Sequence, residues 1–227
     1  PRMAAEVLVA GGTGALGTAV VKELVASGHP VAATWVVESE RERLEGLEGV
    51  ELIKADLFDA GEAASAVAAI SELGAVVNLV GGYAEGGRVH ELEPDEFDRL
   101  MRLNLRPNVT LARAAMPRFV RQGGGAFVAV SARPALRPFP GAAPYIVAKA
   151  AVLSFVQALD AEYRQDGIRA NAVLPSVIDT PANRSSQPDA DHSKWVAPEE
   201  IAKVIRFLVS DDSAPTSGAA IPVYGKA

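Results

Sequence analysis

The chain has 227 residues, is 49% hydrophobic and carries a formal charge of −6. That length suits one α/β domain with a sizeable core, and the negative charge without a basic run argues against a nucleic-acid surface. With no cysteine, disulfides, thiol nucleophiles and thiolate metal sites are excluded together.

In chain order, the expected strands are "EVLVA" at 6–10, "PVAATWV" at 30–36, "VELIKA" at 50–55, "AVVNLV" at 75–80, "GAFVAVS" at 125–131, "IRANAVL" at 168–174 and "AAIPVY" at 219–224. Between them, amphipathic stretches predict helices over 15–27, 39–46, 60–73, 95–121, 143–165 and 198–209. The strand runs are almost continuously apolar, as befits strands covered on both faces. Their alternation with helices predicts an α/β single-domain Rossmann fold over 1–227, a doubly wound seven-stranded parallel sheet with helices on both faces. The longest irregular segments, 81–93, 132–142 and 175–197, each follow a strand, where an open α/β sheet builds its ligand crevice. The segment 175–197 is read as a substrate loop, polar enough to be mobile before a ligand arrives.

No run of about 18 apolar residues suggests a membrane span, and no signal peptide is visible, so a soluble cytoplasmic protein is expected. Pro1 and Arg2, ahead of Met3, read as residues outside the natural start. His29, His90 and His192 lie far apart, which gives a metal site no local support.

"VLVAGGTGALG" (7–17) places Gly12, Gly14 and Gly17 in a GxGxxG pattern between the first strand and the first helix. In that context Gly11, Gly12, Thr13, Gly14, Ala15, Leu16 and Gly17 are read as a pyrophosphate cradle at a helix N-terminus. The end of the second strand often supplies an acid for the ribose hydroxyls. Here Trp35 stands there, Glu38 comes three residues late, and Arg41 and Arg43 could instead swing toward a 2′-phosphate, so the cofactor is NADP or NAD, unresolved. Asp56, with Leu57 beside it, is placed to meet an adenine edge or to cap the following helix.

In "APYIVAKAAV" (143–152), Tyr145 and Lys149 leave one helix face a turn apart. This is either a core Tyr beside a snorkelling Lys or a prepared acid. The ordered set of Gly loop, "KADL", "NLVGG", Asn104, "VAVSA", Tyr145-xxx-Lys149 and "AVLPSVIDTP" resembles the short-chain dehydrogenase/reductase family over nearly all of the chain. The resemblance implies an NAD(P)-dependent oxidoreductase in which Tyr145 gives a proton while hydride leaves the nicotinamide. Lys149 would hold the nicotinamide ribose and, with the cofactor's positive ring, pull the Tyr145 pKa toward neutral. It further implies that Asn104 anchors a proton-relay water. Asn78, Val80, Gly81 and Gly82 would border the cofactor, and Pro175, Val177 and Thr180 would cover the carboxamide.

One departure matters. The family's catalytic Ser precedes the Tyr by 13 residues, and that position is Ala132; Ser131 is its neighbour and would need a local shift to serve, since adjacent strand side chains face opposite ways. Dihydropteridine reductase-like members tolerate the missing Ser. "GGYAEGG" (81–87) and "AVLPSVIDTPANRSSQPDADHSKW" (172–195) resemble them in detail, which implies a flat conjugated substrate such as quinonoid dihydropterin. The alternatives are a carbonyl reductase using Ser131 and a dinucleotide sensor without catalysis. The resemblance also implies a homodimer or homotetramer through helices 95–121 and 143–165, acting on a small molecule.

Overall fold

The computed structural model describes residues 5–227, so the reading of Pro1 and Arg2 lies outside the described residues. Seven parallel strands form one sheet: β1 (Glu6–Ala10), β2 (Val31–Trp35), β3 (Val50–Lys54), β4 (Leu73–Asn78), β5 (Gly125–Val130), β6 (Ile168–Pro175) and β7 (Ala220–Val223). Their spatial order is β3-β2-β1-β4-β5-β6-β7. The order reverses between β1 and β4, whose carboxyl ends meet where Ala10 pairs with Asn78. In a sheet of this order the crevice at that reversal is the ligand site.

Period-two alternation splits each strand between two layers. Leu8, Ala10, Phe127 and Ala129 pack with α3 (Ala60–Ala69), α4 (Glu96–Gln122) and α5 (Ala143–Tyr163). Val7, Val9, Ala126 and Val128 pack with α1 (Ala15–Ala26) and α7 (Pro198–Val209) on the other face. Side chains such as Leu8, Leu24, Leu111 and Ile201 are fully buried, and each stabilises the fold by about 1.5–3 kcal/mol relative to exposure.

Three elements differ from expectation. The helix expected over 39–46 is a single turn, α2 (Glu38–Arg41), followed by turns; only Leu44 there is anchored in the core, too little apolar surface to hold a longer helix. The helix expected over 60–73 stops at Ala69, because Leu73 already begins β4 and Arg118 from α4 donates to the carbonyls of Val67, Ile70 and Ser71 at the helix end. Within 175–197 there is an unforeseen helix, α6 (Pro181–Ser186), whose cap Thr180 accepts from the Asn183 N–H at 3.2 Å.

The segment Ala143–Asp166 is long and apolar enough by composition to cross a bilayer (mean hydropathy 1.2), contrary to the linear reading; 44% of that window is buried within the fold.

Candidate active site

The glycine loop is built by close contacts that exclude side chains. A Cβ on Gly17 would lie 2.2 Å from the Gly11 carbonyl oxygen, and one on Gly12 would lie 2.6 Å from the Ala33 Cβ. Gly11 sits at φ +74°, the left-handed region that favours glycine. The loop is tied to β2 by the Gly11 N–H donating to the Thr34 hydroxyl (3.0 Å) and the Gly12 N–H to the Thr34 carbonyl (3.1 Å). Helix α1 starts with no side-chain cap and no acid in its first turn. Its leading N–H groups and positive dipole end therefore remain available to an anion, and the loop fits a dinucleotide pyrophosphate.

At the adjoining end of β2, two cations lie near Trp35: the Arg41 guanidinium is 5.6 Å and the Lys54 ammonium 5.2 Å from its ring centre, Arg41 also pairing with Glu38 and Glu45. Arg43 reaches the glycine loop itself and donates to the Thr13 carbonyl at 2.8 Å. Asp56 is exposed and accepts from the Phe58 N–H; the cap of α3 is Asp59, which accepts from the N–H groups of Gly61 and Glu62. The capping role read for Asp56 thus belongs to Asp59, three residues closer to the helix. Leu57 turns its side chain into the core, and its carbonyl accepts the Thr110 hydroxyl at 2.7 Å.

At the end of β4, Asn78 accepts from the Val80 N–H at 3.1 Å, while its buried Nδ2 has no partner among the described residues. The Val80 side chain lies against Gly11. Asn104, fully buried on α4, clamps the next residues: its Oδ1 accepts from the Gly82 N–H (3.1 Å) and its Nδ2 donates to the Gly82 carbonyl (3.0 Å). Its own backbone carbonyl accepts from Asn108 Nδ2 at 2.9 Å. A Cβ on Gly81 would lie 2.7 Å from Asn104 Oδ1 and 3.2 Å from Lys149 Nζ, so that glycine is what lets the two groups approach.

Tyr145 and Lys149 sit on α5 beneath this loop. Lys149 is 7% exposed and donates to the Val130 carbonyl at 3.0 Å; its ammonium lies 5.9 Å from the Tyr145 ring centre. Burial pushes Lys149 down to about 8 and Tyr145 up to about 12. The expected lowering of the Tyr145 pKa is therefore not a property of the chain by itself: loss of hydration outweighs a lysine at that distance. The ring of Tyr83 meets Tyr145 edge to face, with centres 5.0 Å apart, and its hydroxyl donates to Glu85 at 2.6 Å.

Ser131 does not stand ready for a substrate. It is 1% exposed, and its hydroxyl donates to the Lys149 backbone carbonyl at 2.7 Å. The pleat that was expected to turn it away does so, and Ala132 carries no hydroxyl to replace it. On the far side, Ser176 follows β6 and donates to the Tyr224 carbonyl at 2.8 Å. Val177 is 37% exposed, Thr180 is buried, and a bridge between Ile178 and Val196 closes the base of the 175–197 loop. The sheet thus gathers the residues read from the Gly loop, 78–82, 104, 131–132, 145–149 and 175–180 along the carboxyl edge of β1, β4, β5 and β6. Tyr83, Glu85, Arg133 and Tyr224 belong to the same edge and were not singled out; an aromatic directly after "GG" in the segment following β4 was the available signal for Tyr83.

A sequence-family model described as enoyl-(acyl carrier protein) reductase matches residues 11–225. The 4-formylbenzenesulfonate dehydrogenase of Comamonas testosteroni is 32% identical over 163 residues, which is 66% of this chain and 65% of that protein. A short-chain type dehydrogenase/reductase from Mycobacterium ulcerans superposes with a TM-score of 0.91 at 25% identity, covering 98% of this chain and 89% of that one. A 3-ketoacyl-(acyl-carrier-protein) reductase from Brucella melitensis, solved with NADH, gives 0.88 at 24% identity and shares the fold over 97% of both chains. With the match running from the glycine loop to the last strand, the chain belongs to the short-chain dehydrogenase/reductase family.

Proposed function

We propose that this chain is an NADP(H)-dependent oxidoreductase acting on a small, flat, conjugated molecule. The observation that carries it is the pairing on α5 of a Tyr held neutral by burial with a buried Lys one turn on, beside a loop fitted to a pyrophosphate. A bound nicotinamide would supply or accept the hydride. Tyr145, a neutral phenol across ordinary pH, is the group able to deliver a proton to the atom that gains charge. Lys149 would sit under it to steady the phenolate left behind, and Tyr83 would form an aromatic wall that favours a planar ring.

The preference for NADP(H) rests on the β2 end. No carboxylate stands at Trp35, Arg41 and Lys54 lie near its ring, and Arg43 lies on the glycine loop; a 2′-phosphate would draw the arginines from their partners Glu38, Glu45 and Glu40. A guanidinium suits a phosphate far better than a ribose diol.

Quinonoid dihydropterin is the first substrate to test, because protonating an imine-like ring needs no serine where Ala132 stands. A second reading is an aryl aldehyde, favoured by the similarity to the Comamonas enzyme and its named substrate; the version that relied on Ser131 loses its support with the hydroxyl spent on Lys149. The test follows absorbance at 340 nm with NADPH and NADH in turn, with Tyr145→Phe as control. Turnover that falls by about 10²–10⁴-fold in the variant supports the reading. Tight cofactor binding without turnover on pterins, quinones or aldehydes would overturn it in favour of a dinucleotide sensor.

A cytoplasmic homodimer through α4 and α5 is part of the same proposal, supported by exposed Phe97, Val120 and Val147 on those helices. Sedimentation as a monomer at micromolar concentration would contradict it.

A further inference from the structure

Charge in this chain is strongly segregated. Residues 99–159 contain nine of the 22 basic residues and none of the 28 acidic ones. That segment spans α4 past its acidic first turn, β5 and most of α5. Its reach to the site runs through Arg133, one residue past Ala132, in a short turn (Arg133–Ala135) that packs against α5.

The half-buried Arg133 side chain lies over the ring of Tyr224, 5.1 Å from its centre. Tyr224 follows β7, and β6 lies between β5 and β7 in the sheet. By strand order, Arg133 therefore reaches across the carboxyl end of β6, which leads into Ser176. Ser176 is pinned there by its N–H to the Val223 carbonyl (3.2 Å) and its hydroxyl to the Tyr224 carbonyl (2.8 Å). The guanidinium has no hydrogen-bond or ion-pair partner among the described residues. An Arg placed over an aromatic ring with no hydrogen-bond partner keeps N–H donors free, and a guanidinium can receive an anionic group in two parallel bonds.

We propose that Arg133 binds an acidic substituent of the substrate, a carboxylate or an equivalent oxyanion, which favours the aryl-aldehyde reading, as a flat conjugated acid, over the neutral dihydropterin ring. Tyr83, on the β4 side of Tyr145, meets the ring; Arg133, on the β7 side, meets the charge. The two place the reacting carbon of a para-substituted ring between them, near Tyr145. The substrate class rests on the reading of Tyr145 as the proton donor; the anion site does not.

The test compares 4-formylbenzoate with 4-methylbenzaldehyde, neutral and of similar size, by equilibrium binding to the NADP⁺-loaded protein, which cannot reduce them, and separately by turnover with NADPH. The wild type should bind the carboxylate at least about tenfold more tightly, an advantage that shrinks with added salt. Arg133→Gln should reduce that advantage to within about twofold while leaving NADPH affinity unchanged, and Arg133→Lys should restore part of it. A wild type that binds both alike, or a variant that weakens both equally, would overturn the anion site. Should Arg133→Gln fail to fold, the discrimination and salt dependence of the wild type, with Arg133→Lys, still decide. Preferential binding without turnover would instead strike the oxidoreductase reading and leave the anion site standing.

Discussion

The Ser131 hydroxyl donates to the backbone carbonyl of Lys149 across 2.7 Å, tying the end of β5 to the helix turn between Tyr145 and the core. A hydroxyl used in that way fixes a helix rather than a substrate. Ser131→Ala should therefore lower stability by about 0.5–1.5 kcal/mol and change turnover by no more than a few-fold. Ala132→Ser, on the opposite side of the strand, should raise the rate on aldehydes and leave a dihydropterin rate nearly unchanged. Denaturant midpoints and steady-state kinetics on both variants check this; a rate abolished in Ser131→Ala would contradict it.

Lys149 links pH to stability. Burial takes it from 10.5 down to about 8, so the fold prefers the neutral amine. Stability is then fullest above the unfolded value and falls as pH drops through 8. Tyr145 acts oppositely and higher: its contribution is full below pH 10 and is lost as pH rises through about 12. Between pH 7 and 9.5 the wild type should become more stable with rising pH. Lys149→Met should be nearly flat there and more stable at pH 7 by up to about 3 kcal/mol. Urea midpoints across that range give the answer, and a flat wild-type profile would contradict it.

Asn104 satisfies both backbone groups of Gly82. Asn104→Ala leaves an N–H and a carbonyl without partners and should cost about 1–3 kcal/mol. Its sharper signature is local: exchange of the Gly82 amide should accelerate well beyond that of the core strands, and kcat should fall more than KM rises.

Gly17→Ala places a methyl 2.2 Å from the Gly11 carbonyl oxygen, with backbone on both sides and no flexible side chain to yield. The loop must open to admit it. Affinity for either dinucleotide should drop at least about a hundredfold, read by cofactor fluorescence, while the far-ultraviolet dichroism of the sheet and helices persists.

Trp35→Asp supplies the missing carboxylate at the end of β2, next to Arg41 and Lys54. NADPH should bind at least about tenfold more weakly and NADH more tightly. Equal loss of both nucleotides would mean that Trp35 packs against the adenine instead of setting the choice.

The sheet was legible in the sequence because its five inner strands are buried on both sides and read as apolar runs, while the half-exposed edge strands β3 and β7 still stand between glycine, proline or charge. Helix α6 was not, since six residues of "PANRSS" bury none of their side chains and are held by the Thr180 cap, the Asn183 bond to the Ile178 carbonyl and the Arg184–Asp179 pair. Tyr145 and Lys149 were legible from helical spacing, but the direction of the Tyr145 pKa was not, because it depends on how far the neighbouring ammonium sits and how dry the place is. Asp56 and Asp59 look alike in "ADLFDAGE"; only the backbone angles of the turn decide which one caps. The contact of Arg133 with Tyr224, 91 positions apart in the numbering, follows from strand order and from no local pattern.

The 81–87 segment is fastened twice: Gly82 to Asn104 on α4, and the Gly86 N–H to the Gly141 carbonyl (3.0 Å) just before α5. Tyr83 lies between the two fasteners. Swinging its ring off Tyr145 to let a product leave would loosen one or both of them. The residence time of product would then be set by how often those short bonds break together, so a catalyst with fast chemistry could still be paced by its doorway. Viscosity dependence of kcat, absent in Asn104→Ala, would be the mark of such pacing.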